Sequence, residues 1–347
     1  MIYKYGKSYL PIMKYKEDFL DENDAFLIEG ERICRIYQTQ PERTQCKVCG
    51  EKISSLCKSF VHHDIKYFIC HKCGHVNGEF LETDDFSRKV YQESDYGLVY
   101  REDRKEEYNA RVKDIYIPKA EFLLECLKEG SGKDTNALSF LDVGAGSGYF
   151  VNALHYFGVN AKGIEISQKQ VDYGNAMTER EIITQCNQEN IKNVIVESDA
   201  DVVSFIGVLE HIIDLHEVLS SVNKNPNIRY IYFSVPLMSY SVVFEAAEED
   251  VYNRLLGGVG AHTHLFSDDS VKCLCDLYDW SIVGQWKFGT DMADLFRMIM
   301  VKLKQKGNKE LSLLFEESFK KIMDELQLVI DKKGLPSEIH VLAEKRR

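Results

Sequence analysis

Four short runs of this chain have the residue types and spacing for chemistry. In Leu141-Asp142-Val143-Gly144-Ala145-Gly146-Ser147-Gly148 an apolar stretch feeds three glycines. Glycine accepts positive φ and lets a ligand approach the backbone. A helix opening after such a turn offers N–H groups to a polar ligand. A pyrophosphate loop wants Gly-x-Gly-x-x-Gly; here the third glycine comes one residue early and Tyr149 stands in its place. Asp142, at the strand end, suits an ammonium group. Glu165, 21 residues after Gly144, ends the next strand, where a carboxylate accepts hydrogen bonds from both hydroxyls of a ribose.

The third run is Glu210-His211, directly after a strand candidate. Imidazole titrates near neutral pH, so His211 is read as a general base, with Glu210 orienting it or contacting the substrate. A capping or packing histidine is the alternative. His262 and His264 end a long loop containing Gly257, Gly258 and Gly260, which suggests a lid. They are candidates for substrate contact, as are Tyr96 and Tyr100; a metal is not expected there, because no partner carboxylate is identifiable. The fourth run is the double pair Cys46/Cys49 and Cys70/Cys73, with 20 residues (50–69) between the pairs and glycine after each. That spacing suits one structural zinc held by four thiolates, with no open position. His62, His63, His71, His75 and Cys57 lie nearby and are read as surface or packing residues.

The elements that must position these groups alternate from residue 118 onward. Strand candidates are 137–143, 161–166, 181–184, 201–206, 229–235, 281–288 and 339–344. Helix candidates are 120–127, 149–157, 168–178, 215–223 and 268–277. This alternation predicts a parallel, doubly wound, Rossmann-like α/β sheet. The expected organisation is an N-terminal segment over 1–40, a zinc ribbon over 41–80, and a connecting segment over 81–117 that could close the site. A ligand-binding domain follows over 118–347, with a helical insertion at about 292–333 that could form a dimer interface or cover the substrate.

A ligand with a ribose and an amino-acid-like end fits the Asp142/Glu165 pair, and S-adenosylmethionine answers that description. The chain resembles class I S-adenosylmethionine-dependent methyltransferases over about 118–347. The motifs that carry the resemblance are the glycine loop, Gly163-Ile164-Glu165-Ile166, and the Val208-Leu209-Glu210-His211 segment that follows the fourth strand. The resemblance implies that Asp142, Gly144, Ala145, Gly146, Gly148 and Gly207 surround the methionine end, and that Glu165 and Ile166 hold the ribose. Asn187 would lie beside adenine, where many relatives carry Asp. With the N-terminal zinc ribbon, the chain is similar to bacterial methyltransferases of sugar and polysaccharide biosynthesis. In the sugar C-methyltransferases among them, a Glu-His pair lies at the catalytic centre, here Glu210 and His211. This chain lacks their long extra C-terminal domain.

Composition limits the alternatives. The 347 residues carry 43 Lys+Arg against 55 Asp+Glu, a net charge of −12. Non-specific nucleic-acid binding relies on cations that neutralise phosphates, so nucleic acid is not the expected partner. An RNA methyltransferase that holds RNA on its zinc ribbon, and a non-catalytic ribbon that recruits a protein, are the competing readings. No run of 18 apolar residues is present, which argues against a membrane span. Met1-Ile2-Tyr3-Lys4 opens without the apolar region of a secretory signal. A cytoplasmic enzyme acting on a small molecule or glycan precursor, free to form homo-oligomers, is the expectation.

Overall fold

Runs rich in Val, Ile, Phe and Tyr fit a pleated, buried surface, and such runs become the strands here. The computed structural model describes residues 1–13, 23–92, 104–131, 135–251, 256 and 262–346. Tyr96, Tyr100 and the lid glycines Gly257, Gly258 and Gly260 lie outside these. In chain order the strands are β1 (Ile2–Tyr5), β2 (Lys58–His62), β3 (Ile65–Ile69), β4 (Val76–Gly78), β5 (Ser139–Val143), β6 (Asn160–Glu165), β7 (Ile183–Gln185), β8 (Val202–Ile206), β9 (Tyr230–Pro236), β10 (Trp280–Phe288) and β11 (Glu338–Lys345).

Eight of them form one sheet in the order β1-β10-β11-β9-β8-β5-β6-β7. The run β9-β8-β5-β6-β7 is parallel throughout. Every residue of β9 is buried, as expected of a parallel strand covered on both faces. Alternate side chains supply two cores. Tyr230, Tyr232 and Trp286 pack with Phe122, Phe150 and Leu154 on one face. Val203, Phe205, Ile231 and Phe233 pack with Leu219, Leu274 and Trp280 on the other.

The fully parallel sheet expected from sequence needs correction at one edge. β11 runs antiparallel to both β9 and β10, with Phe288 opposite Glu338. The excursion between them consists of the helices Asp291–Gln305, Lys309–Phe319 and Met323–Lys333. It returns the chain to the end of the sheet it left, so β10 and β11 pair as a long-looped hairpin. β1, which sequence reading leaves in the N-terminal segment, pairs parallel to β10.

β2, β3 and β4 form a separate antiparallel sheet. Cys46 and Cys49 precede it, and Cys70 and Cys73 lie in the turn between β3 and β4. Gly50 N–H donates to the Cys46 carbonyl and Gly74 N–H to that of Cys70, so each pair sits in a tight turn. The sheet is not detached. Cys46, Val48, Cys70 and Cys73 share one core with Phe266, Val271, Leu274 and Trp280.

Candidate active site

In an open α/β sheet, ligands bind beyond the carboxyl ends of the strands. β5 ends at Val143 and the chain turns through Gly144, Gly146 and Gly148, all at positive φ. At Gly148, φ is 73° and an added Cβ would meet Ile183 Cδ1 at 2.6 Å. The turn is pinned from β6: Ile164 O accepts from Gly144 and Ala145 N–H, and Gly146 N–H donates to Glu165 Oε2 at 2.9 Å. Glu165 Oε1 accepts from Ser167 N–H at 2.9 Å. Sequence reading expects loop N–H groups to face a ligand; in fact these three serve the loop itself. Both Glu165 oxygens keep a further lone pair for hydroxyl donors.

Asp142 is 2% exposed and accepts from Ser204 Oγ at 2.6 Å. Burial pushes its pKa up to about 7, although the Ser204 hydrogen bond opposes the rise. Ile166 is exposed beside Glu165, and Asn187 Oδ1 accepts from Gln185 Nε2. A layer of aromatics backs the turn. Tyr108 OH donates to Ser147 O at 3.0 Å, and Tyr108 and Tyr116 stack on Tyr149 at 4.6 and 5.2 Å. Sequence reading singled out other tyrosines of the connecting segment and missed this pair.

β8 ends at Ile206, and Gly207, at φ +69°, turns the chain into Leu209–His211. Glu210 is 5% exposed and burial lifts its pKa to about 8. Its carbonyl accepts from Thr263 N–H (2.8 Å), Thr263 Oγ1 (3.1 Å) and His264 N–H (3.1 Å). His262 is thereby brought to the Glu210–His211 turn. One ligand atom from each of the three residues lies within 4.8 Å of the others. The partner carboxylate that sequence could not identify is Glu210.

His264 does not join them. It is 1% exposed, with Nε2 at 3.0 Å from Ile212 O and Nδ1 at 3.3 Å from His75 Nε2. It braces the segment, and its assignment to substrate is withdrawn. Behind His262, a cavity of about 40 Å³ is lined by Tyr37, Tyr67, Phe86, Glu82 and Leu265 among others.

The four thiols of the other candidate site converge. Cys46 and Cys73 Sγ are 3.5 Å apart, Cys49 and Cys70 Sγ 3.6 Å, and all four lie within 4.8 Å of one another. Tetrahedral zinc with Zn–S of about 2.3 Å needs sulfurs roughly 3.8 Å apart. Asn77 Nδ2 donates to Cys46 Sγ.

A family model described as "Methyltransferase domain" matches residues 100–285. Similar solved structures include magnesium protoporphyrin IX methyltransferase from Synechocystis PCC 6803 with bound SAH, at 11% identity over 69% of this chain and 87% of that one, TM-score 0.44. Another is a SAM-dependent methyltransferase from Archaeoglobus fulgidus, at 15% identity over 65% and 94% of the two chains, TM-score 0.39. A third is a SAM-dependent methyltransferase from Geobacter sulfurreducens in complex with S-adenosyl-L-homocysteine, at 13% identity over 66% and 91%, TM-score 0.39. No curated protein matches the chain. With the family match spanning more than half of its length, the chain belongs to the methyltransferase-domain family and is a class I S-adenosylmethionine-dependent methyltransferase.

Proposed function

We propose that this enzyme methylates a small polyhydroxylated acceptor, a sugar nucleotide or a polysaccharide precursor. The observation that carries the reading is the placement of two polar poles along one edge of the sheet. Asp142 and Glu165 lie at the carboxyl ends of β5 and β6, with the glycine turn after β5, and Glu210, His211 and His262 gather after β8. The first pole fits the cofactor: Asp142 faces the ammonium of its methionine end, Glu165 and Ile166 the ribose, and Asn187 the adenine. Gly144, Ala145, Gly146, Gly148 and Gly207 line the backbone surface against it. When bound, S-adenosylmethionine supplies an electrophilic methyl group on a sulfonium.

The second pole takes the acceptor. One carboxyl and two imidazoles form a set of hydrogen-bonding groups that suits hydroxyls better than an apolar acceptor. Glu210 and His211 are the proposed catalytic pair, with His262 as a substrate contact. Thr263 and His264 fix the height of this pole through the Glu210 carbonyl. The four cysteines are proposed to hold one structural zinc. Their sulfur spacing fits tetrahedral thiolate coordination, and a cation allows all four to ionise together.

The test is calorimetric titration with S-adenosylhomocysteine, followed by labelled methyl transfer to a panel of nucleotide sugars. We expect micromolar binding, weakened at least about tenfold by Glu165→Ala through loss of its paired hydrogen bonds. Zinc-loaded, folded protein that binds no S-adenosylhomocysteine would sink the site assignment. Binding with transfer to RNA oligonucleotides, and to no sugar, would move the acceptor to RNA.

A further inference from the structure

The second pole contains more than acid–base catalysis requires. Glu210 and His211 are neighbours in the turn after β8, while His262 arrives from 51 residues further along the chain. One carboxylate oxygen and two imidazole nitrogens nonetheless meet within 4.8 Å. The two rings are tilted by 52° at 5.0 Å between centroids rather than stacked. Backbone N–H groups of Thr263 and His264, with the Thr263 hydroxyl, donate to the Glu210 carbonyl and hold the two segments in register. An independent observation points to a ligand. Glu210 is 5% exposed, and its Oε2 is buried with no hydrogen-bond partner among the described residues. A buried carboxylate oxygen without a donor is costly, and a cation at coordination distance removes that cost.

We propose that Glu210, His211 and His262 form a second metal centre, separate from the four thiols, that holds one divalent cation of the Mn²⁺, Fe²⁺ or Co²⁺ class. Two imidazoles and one carboxylate make a mixed nitrogen–oxygen set. Mg²⁺ prefers oxygen ligands alone, and no thiol is among the three residues. Three protein ligands leave coordination positions open to the acceptor. This deepens the methyl-transfer reading above and rests on it: Glu210, His211 and His262 act there through the cation they hold and not as a free acid, base or direct substrate contact. Two adjacent hydroxyls of the acceptor chelate the cation. One of them loses its proton to solvent water, keeping both electrons of the O–H bond on oxygen, at a pH where a free hydroxyl would not ionise. The cation stays divalent throughout.

The experiment is Mn²⁺ titration of the full-length protein carrying a single zinc per chain, which the four thiolates take first, following the electron paramagnetic resonance signal of free Mn²⁺. Soft thiolates do not suit Mn²⁺, so the cysteine cluster does not contribute. The expected result is one Mn²⁺ per chain, with two imidazole nitrogens coupled to it in pulsed spectra. His262→Ala and Glu210→Gln each weaken uptake at least about tenfold, with S-adenosylhomocysteine affinity kept within about threefold. No uptake, uptake without nitrogen coupling, or uptake unchanged in both variants overturns the metal centre. The wild-type spectra decide the matter even if a variant fails to fold. S-adenosylhomocysteine binding without Mn²⁺ uptake removes the cation and leaves methyl transfer standing. Loss of S-adenosylhomocysteine binding with Mn²⁺ retained removes the cofactor site instead.

Discussion

At the scale of single residues, burial sets the working range of Asp142. Desolvation lifts its pKa to about 7; the Ser204 hydroxyl and Lys119 pull it down, and the Glu165 charge pushes it up. An ammonium group favours the ionised form, so below that pKa binding must first release a proton. Affinity for S-adenosylhomocysteine is therefore expected to fall by up to about tenfold per pH unit below 7, and to level off above it. Asp142→Asn should weaken binding and flatten the profile between about pH 5.5 and 7.5. Calorimetry across that range tests this, and a wild-type profile as flat as the variant's counts against the ammonium contact. Asp142 and Glu165 were legible in the sequence because each ends an apolar run beside glycine. The residues that tune Asp142 were not: Ser204 lies inside a strand and Lys119 near the start of the Ile117–Ser131 helix, with no local signal of a role.

At the scale of elements, the segment 262–266 joins the cysteine-bearing sheet to the cleft. Val76 of β4 bridges Leu265, Leu237 beyond β9 bridges Phe266, and His75 meets His264. A further link is Lys47, between Cys46 and Val48. Its ammonium hydrogen-bonds to the Thr263 carbonyl and pairs with Glu82 at 2.7 Å, and both side chains are 7% exposed. Burial lowers its pKa to about 8. Removing one partner of a buried ion pair costs about 3–5 kcal/mol when the other charge is left alone. Arg43 still pairs with Glu82 here, so Lys47→Met should cost less, about 1–3 kcal/mol. Because Lys47 touches the Thr263 segment and not the glycine turn, the variant should lose at least about tenfold in kcat while keeping S-adenosylhomocysteine affinity within about threefold. Equal loss in both would show a general folding defect and not a link to the acceptor pole. Sequence showed the knuckles clearly, since Cys-x-x-Cys spacing is local. It could not show that Lys47 reaches a carbonyl 216 positions away.

At the scale of the whole molecule, the two cysteine knuckles and the large sheet share a core, and this decides how the protein unfolds. The parallel α/β character of the central strands follows from a period that sequence displays, apolar runs alternating with amphipathic helices, whereas their order does not. The antiparallel β11 and the edge strand β1 were hidden, because pairing direction depends on where the chain re-enters the sheet and not on the composition of the strand. Sharing of the core was hidden for the same reason: Val48, Cys70 and Cys73 look like parts of a small independent module, yet they pack with Val271, Leu274 and Trp280. The chain has two tryptophans, Trp280 and Trp286, both in β10. Trp280 belongs to the same core as the cysteines, and Trp286 to the core on the opposite face. Tryptophan emission therefore reports on the large sheet, while release of the proposed zinc, followed with a chromogenic chelator, reports on the four cysteines. The strands β3 and β4 pack Ile65, Tyr67 and Val76 in a further core with Tyr37, Phe86 and Leu265, but the cysteines and Val48 cannot leave theirs without exposing Phe266 and Trp280 to water. We expect the two signals to change together on heating, as one cooperative transition, and Cys46→Ser to lower both midpoints alike. Zinc release well below the tryptophan transition, with emission unchanged, would show instead that the cysteine sheet is an independent domain resting on the enzyme.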